Sequence, residues 1–144
     1  MTPAPEAPRP GAPDAHAWLD AFEAAVRARD FDAGRALFVG DALGFGSVVP
    51  RCDGLDPLVA GQWRRVWPNI ERFTFERDRA RVVDGGDVVV IATTWTSVGR
   101  DGEGQAFERP GRVTLVLRRA GGRLACEHSH YSLVPGTERA LAAR

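Results

Sequence analysis

Apolar positions in the first part of the chain recur at helical spacing. From Asp14 onward, Trp18, Phe22 and Val26 fall four apart with Leu19 and Ala25 beside them, one face of an amphipathic helix that Asp14 is suited to cap. Asp30 can cap a second, shorter helix through Phe31 to Phe38, with Gly40 closing it. Between Ala42 and Pro50, Leu43, Phe45, Val48 and Val49 stand among glycines, a pattern for a short irregular strand. Asp56-Pro57 then starts a third helix, because proline is preorganised for the first helical position. Val59, Trp63, Val66 and Trp67 share one of its faces until Pro68 ends it.

Beyond Pro68 the period changes to two. Phe73 and Phe75 alternate with Thr74 and Glu76, and a turn at Asp84-Gly85-Gly86 leads into a strand from Asp87 to Val98. After the loop Gly99 to Gly104 a strand begins at Gln105, and Pro110-Gly111 predicts a bulge or bend before Arg112 resumes it. Arg112 to Pro135 reads as two long strands joined by a Gly121-Gly122 hairpin, so the second half is a meander of four long antiparallel strands. There is no internal repeat and no heptad run.

A chain of 144 residues fits one domain and buries roughly two thirds of its unfolded surface, enough for a core without disulfides or metal. The expected organisation is a disordered Pro/Ala-rich tail at 1–13, an ordered domain at 14–135 and a short tail at 136–144. Nineteen basic residues balance nineteen acidic ones, so no strong field gathers nucleic acid or an anionic membrane, and neither is expected as a partner. The chain contains no lysine, which excludes Schiff-base and pyridoxal phosphate chemistry and a P-loop. Cys52 and Cys126 are isolated, consistent with a reducing compartment. The first residues lack the apolar core of a signal peptide and no later stretch has the length of a membrane span, so a cytoplasmic protein is expected.

The densest chemistry is the run His128, Ser129, His130, Tyr131, Ser132. A regular strand sorts it into two sets, Glu127, Ser129 and Tyr131 on one face, Cys126, His128, His130 and Ser132 on the other, and only one set can line a cavity. His128 and His130 could converge on a divalent ion, but zinc needs a third protein ligand and a regular strand turns Glu127 away; no metal or other cofactor is expected. Trp63, Trp67 and Trp95 offer large apolar surfaces for a cavity wall, or for plain core packing. Asp53 and Asp41 are acids in loop sequence, read first as turn residues and second as a candidate base.

The order of two helices, a short strand, a third helix and a long meander resembles the nuclear transport factor 2-like superfamily. GQWRRVWPNIERFTF, then GRVTLVLRR, a glycine turn and HSHYSLVP resemble its SnoaL-like group, which also includes the hub domain of calcium/calmodulin-dependent kinase II. The resemblance runs from about Asp14 to Pro135. It implies an α+β fold, cystatin-like, in which a curved antiparallel sheet forms a cone around N-terminal helices, with a pocket between the two and pairing of subunits through the outer sheet face. It favours Glu127, Ser129 and Tyr131 as the pocket set, because the hub has a pocket residue matching Tyr131. It also brings Arg112 close to a pocket arginine, whose planar fork suits a carboxylate.

Members of this superfamily include isomerases, cyclases, dehydratases, ligand binders and oligomerisation modules, so the fold leaves the activity open. Ketosteroid-isomerase-like chemistry needs a carboxylate base and an oxyanion hole with a phenol, and this chain departs from it by having no tyrosine in its first helix. Three readings follow. The first is a homodimeric domain binding a small, mostly apolar organic ligand through Trp63, Trp67, Trp95, Arg112, Ser129 and Tyr131. The second is proton transfer on a small carbonyl compound, with His128, His130 or Asp53 as base and Tyr131 as donor. The third is an association module.

Overall fold

The computed structural model describes residues 13–143. Helix α1 (Pro13–Ala28) turns Trp18, Leu19, Phe22, Ala25 and Val26 inward. Asp14 lies within its first turn rather than at a cap, and its carboxylate meets Arg119 at 2.8 Å. Asp30 caps α2 (Phe31–Arg35), accepting the Ala33 N–H at 3.0 Å. This helix stops before the expected Phe38, because Phe38 is drawn into the core as the first residue of β1 (Phe38–Phe45). Gly40 therefore lies in a strand, and that strand begins earlier than the expected Ala42. β2 (Cys52–Asp53) pairs back on β1.

Residues 55–69 are helical throughout, as α3 (Leu55–Leu58), a π turn (Val59–Trp63), α4 (Arg64–Val66) and a 3₁₀ turn (Trp67–Asn69) that contains Pro68. Val59, Trp63, Val66 and Trp67 are all buried, as their spacing predicts. The π turn widens the helix by a residue, and Gln62 within it is buried as well.

The remaining strands are β3 (Ile70–Phe75), β4 (Arg81–Asp84), β5 (Val88–Arg100), β6 (Ala106–Glu108), β7 (Gly111–Ala120) and β8 (Arg123–Leu133). All eight form one curved sheet, ordered β2-β1-β8-β7-β5-β3, with β4 and β6 also on β5. β1 runs parallel to β8 and every other pair is antiparallel, so the sheet is mixed. β4 carries no alternation in sequence and was absent from the pattern.

Two register details position the interior. β6 and β7 pair with β5 in one continuous register, Val98 opposite Glu108 and Trp95 opposite Gly111. Between them Ser97 and Arg109 exchange backbone hydrogen bonds of 2.9 and 3.1 Å. No residue is inserted at Pro110-Gly111, contrary to the expected bulge; the proline only removes one donor from the ladder. The inserted residue lies instead on β8, where the pairs Val116–His128 and Leu117–Cys126 leave Glu127 over.

The core is aromatic where the helices meet the sheet. Phe22 touches Trp18, Phe38, Trp63, Trp67 and Phe75 at centroid distances of 5.3 to 6.4 Å, and Trp63 stacks on Trp67 at 4.7 Å. Each such ring contributes roughly 1.5–3 kcal/mol by burial. The expected N-terminal tail lies outside the described residues except for Pro13. The C-terminal segment forms no helical turn; Ala142 donates to the Arg100 carbonyl at 2.9 Å and Arg139 pairs with Asp101 at 2.5 Å. No helix among the described residues is long and apolar enough to cross a membrane.

Candidate functional site

Between the inner sheet face and the helices lies a cavity walled by Phe22, Val26, Leu58, Trp63, Val66, Trp67, Ile70, Phe73 and Trp95. Phe45, Gly46 and Ser47, where β1 ends and a strap leading to β2 begins, also line it. The polar side chains reaching it are Ser47, Gln62, Arg109, Ser129 and Tyr131. About 40 Å³ is free, room for a few water molecules at about 10–15 Å³ each. Sites for organic ligands are of order 300–1,000 Å³, so the walls must part to admit one.

Arg109 reaches this space because it sits opposite Ser97, on the inward face of the continuous β6–β7 register. It is 3% exposed, and its guanidinium lies over Trp95, 5.5 Å from the ring centroid. Nη2 donates to Ser47 Oγ at 2.6 Å, whereas Nε has no partner among the described residues. Burial pushes its pKa down to about 10, with no acidic neighbour offsetting the shift, so it stays charged at neutral pH. Gln62 Nε2 donates to the same Ser47 Oγ at 2.9 Å, and Gln62 Oε1 accepts the Val48 N–H at 3.0 Å. Gly46 makes this approach possible, since a Cβ there would lie 2.2 Å from Gln62 Oε1.

Tyr131 packs on Trp95 with centroids 6.2 Å apart, and its hydroxyl is buried without a partner among the described residues. Burial raises its pKa well above the usual phenol value, so it remains a donor. Trp95 is itself held by donating to the Arg112 carbonyl at 3.1 Å. The cavity wall contains no carboxylate and no imidazole among the described residues.

A model of the SnoaL-like domain matches residues 16–136. The chain belongs to the SnoaL-like domain family. Solved structures with the same fold as this SnoaL-like domain include a putative dehydratase of the NTF2-like family from Streptomyces avermitilis, 19% identical, TM-score 0.71, covering 84% of this chain and 94% of the other. A ketosteroid isomerase-like protein from Erwinia carotovora atroseptica is 18% identical, TM-score 0.70, with 83% and 92% covered. A putative calcium/calmodulin-dependent protein kinase II association domain from Xanthomonas campestris is 19% identical, TM-score 0.67, with 94% and 99% covered. No curated protein matches the sequence significantly.

Within this SnoaL-like domain, Trp63, Trp67, Trp95, Ser129 and Tyr131 line the cavity and Arg112, His128, His130 and Asp53 do not. Arg112 alternates out with Thr114 and donates to Ser132 Oγ at 3.0 Å. His128 Nδ1 donates to the Leu43 carbonyl at 2.8 Å, and the rings of His128 and His130 meet Phe45 edge-on at 4.9 and 5.3 Å. Asp53 is exposed and paired with Arg51 at 2.8 Å, which holds its carboxyl below the usual range. The sorting of β8 into two alternating sets needs correction at Glu127. As the inserted residue it shifts the parity, so fully buried Cys126 shares the inward side with Ser129, and Glu127 pairs with Arg118 at 2.8 Å outside the cavity. Arg109, Gln62 and Ser47 are the cavity residues that pattern reading passed over.

Proposed function

We propose that this domain binds a small organic molecule with a mostly apolar body in the cavity beneath the strap at residues 46–50. The observation that supports this reading is the composition of the wall: tryptophans, phenylalanines and aliphatics interrupted by a few polar groups, two of which, Arg109 Nε and Tyr131 OH, are buried without partners among the described residues. Buried polar atoms in a finished core are almost always satisfied, so unpartnered ones facing a hollow point to a missing partner. Arg112, His128, His130 and Asp53 have no part in this reading. The proton-transfer alternative, whether isomerase, cyclase or dehydratase, would need a base at the cavity, and the wall supplies neither carboxylate nor imidazole among the described residues.

The test is a titration with small neutral aromatics such as benzyl alcohol and indole, followed through the indole N–H resonances. Saturable shifts at Trp63, Trp67 and Trp95 with Trp18 unmoved are expected. Absence of any saturable shift, or shifts only at surface residues, would rule the site out.

A second element of the reading is a homodimer paired through the outer sheet face. The register aligns Val83, Val90, Val116, His128 and Leu43 in one row across five strands, with Val83 56% exposed. The neighbouring row runs from Arg81 through Ala92 and Thr114 to His130, so an uncharged centre is flanked by a cation on β4, and such a surface suits an isologous contact. Light scattering should give twice the chain mass, and Val90→Lys should convert it to monomer; a wild-type monomer at high concentration would exclude the pairing.

A further inference from the structure

Arg109 has the surroundings of a charge that lacks its counter-ion. Arg109 is 3% exposed; among the described residues its side chain makes one hydrogen bond, to a neutral hydroxyl, and its Nε has no partner. A buried charge is normally paired, because removing it from water costs several kcal/mol. The position reaches the core face by register.

The Ser47 hydroxyl occupies the point where two donors converge, accepting from Arg109 Nη2 at 2.6 Å and from Gln62 Nε2 at 2.9 Å. One neutral oxygen that accepts two hydrogen bonds, one from a cation, stands where an anionic oxygen would bind more strongly. Ser47 lies outside the regular strands and helices, so its displacement breaks no ladder. It belongs to the strap after β1, which holds to the 55–69 helical segment through Gln62, and the free space below it is only about 40 Å³.

We infer that the ligand is a small organic monoanion, a carboxylate on an aliphatic or aromatic body, whose oxygens take Arg109 Nε and Nη2 and displace Ser47 as the strap moves outward. This rests on the cavity being the ligand site proposed above and specifies the chemistry of that ligand. The body lies against Trp95 and Phe73, and the Tyr131 hydroxyl supplies a further donor from the same indole neighbourhood. The described cavity is then the closed form, with Ser47 holding the anion's place.

The experiment compares matched pairs, benzoate with benzamide, phenylacetate with phenylacetamide and hexanoate with hexanamide, by calorimetry and by tryptophan resonances. Wild type, Arg109→Met, Arg109→Lys and Ser47→Ala are each checked for folding by circular dichroism. Carboxylates should bind wild type roughly tenfold or more tightly than their amides, the margin of a charge-assisted pair. Arg109→Met should erase the difference while amides still bind, Arg109→Lys should retain part of it, and Ser47→Ala should tighten carboxylate binding by removing the competitor. Equal affinity of acid and amide for wild type would overturn the anion and leave the apolar cavity standing. Failure of all six probes to perturb the cavity tryptophans would overturn both. Because the acid–amide comparison is made on wild type, the outcome does not depend on any variant folding.

Discussion

The Arg109 guanidinium lies over the Trp95 indole at 5.5 Å from its centroid, a cation on an aromatic face with no carboxylate partner among the described residues. A desolvated cation–π contact contributes about 2 kcal/mol, less than burying an unpaired charge costs. Arg109→Met keeps length and apolar volume and removes the charge. It should therefore raise stability by about 1–3 kcal/mol, seen as a higher midpoint in urea at unchanged slope. A lower midpoint would mean that Arg109 serves the fold rather than a ligand.

This arginine also marks how far the pattern could be read. Counting by twos from Leu115 through Val113 and Gly111 arrives at Arg109 on the core face, while Arg112 falls outside with Thr114. The expected bulge at Pro110-Gly111 interrupted that count, because proline and glycine in a strand mark a register break more often than an unbroken ladder. The reverse happened at Glu127, where nothing in the local composition announces an extra residue. The tryptophans and the family resemblance were legible because large apolar residues at helical or alternate spacing have few places to go. The Ser47–Gln62–Arg109 contacts were not, since they join three distant segments, one of them through a π turn that has no sequence period of its own.

Gly111 and Trp95 are directly paired, and a Cβ on Gly111 would lie 2.1 Å from Trp95 Cζ2 and 2.5 Å from the Ser132 carbonyl oxygen. One of these neighbours is a fully buried ring and the other is backbone, so neither yields cheaply. Gly111→Ala should destabilise the fold by about 2 kcal/mol or more, as overpacking does. It should also shift the Trp95 indole resonance, since the ring that supports Arg109 must tilt. A change below about 0.5 kcal/mol, typical of surface sites, would contradict the packing described.

The bulge at Glu127 has a chemical signature at Cys126. A regular strand would put this thiol on the side of His128, facing out; with the inserted residue it is fully buried, and burial pushes its pKa up far from the reactive range. In a Cys52→Ser variant, the remaining thiol should resist an aromatic disulfide reagent at pH 8 and react at once in denaturant. Rapid labelling of folded protein would return Cys126 to the outer face.

Arg119 fastens the first turn of α1 to the sheet. It donates to Asp14 in the first turn of α1 at 2.8 Å and to Asp84 at the end of β4 at 2.7 Å. The Arg119 hydrogen bond holds the Asp14 carboxyl below its usual value, outweighing the opposing effect of burial. A carboxyl whose folded pKa is depressed contributes stability that is present above its unfolded value, near 3.8, and is lost as pH falls through the lower folded value. Arg119→Gln should thus lower Tm by a few degrees at pH 6, and the gap from wild type should close as pH falls through the depressed folded value of Asp14. Both Asp14 and Arg119 are partly exposed, so the same gap should narrow in 1 M salt. A difference in Tm that persists unchanged at pH 2 would show that Arg119 acts through packing of its aliphatic stem instead of through its carboxylate partners.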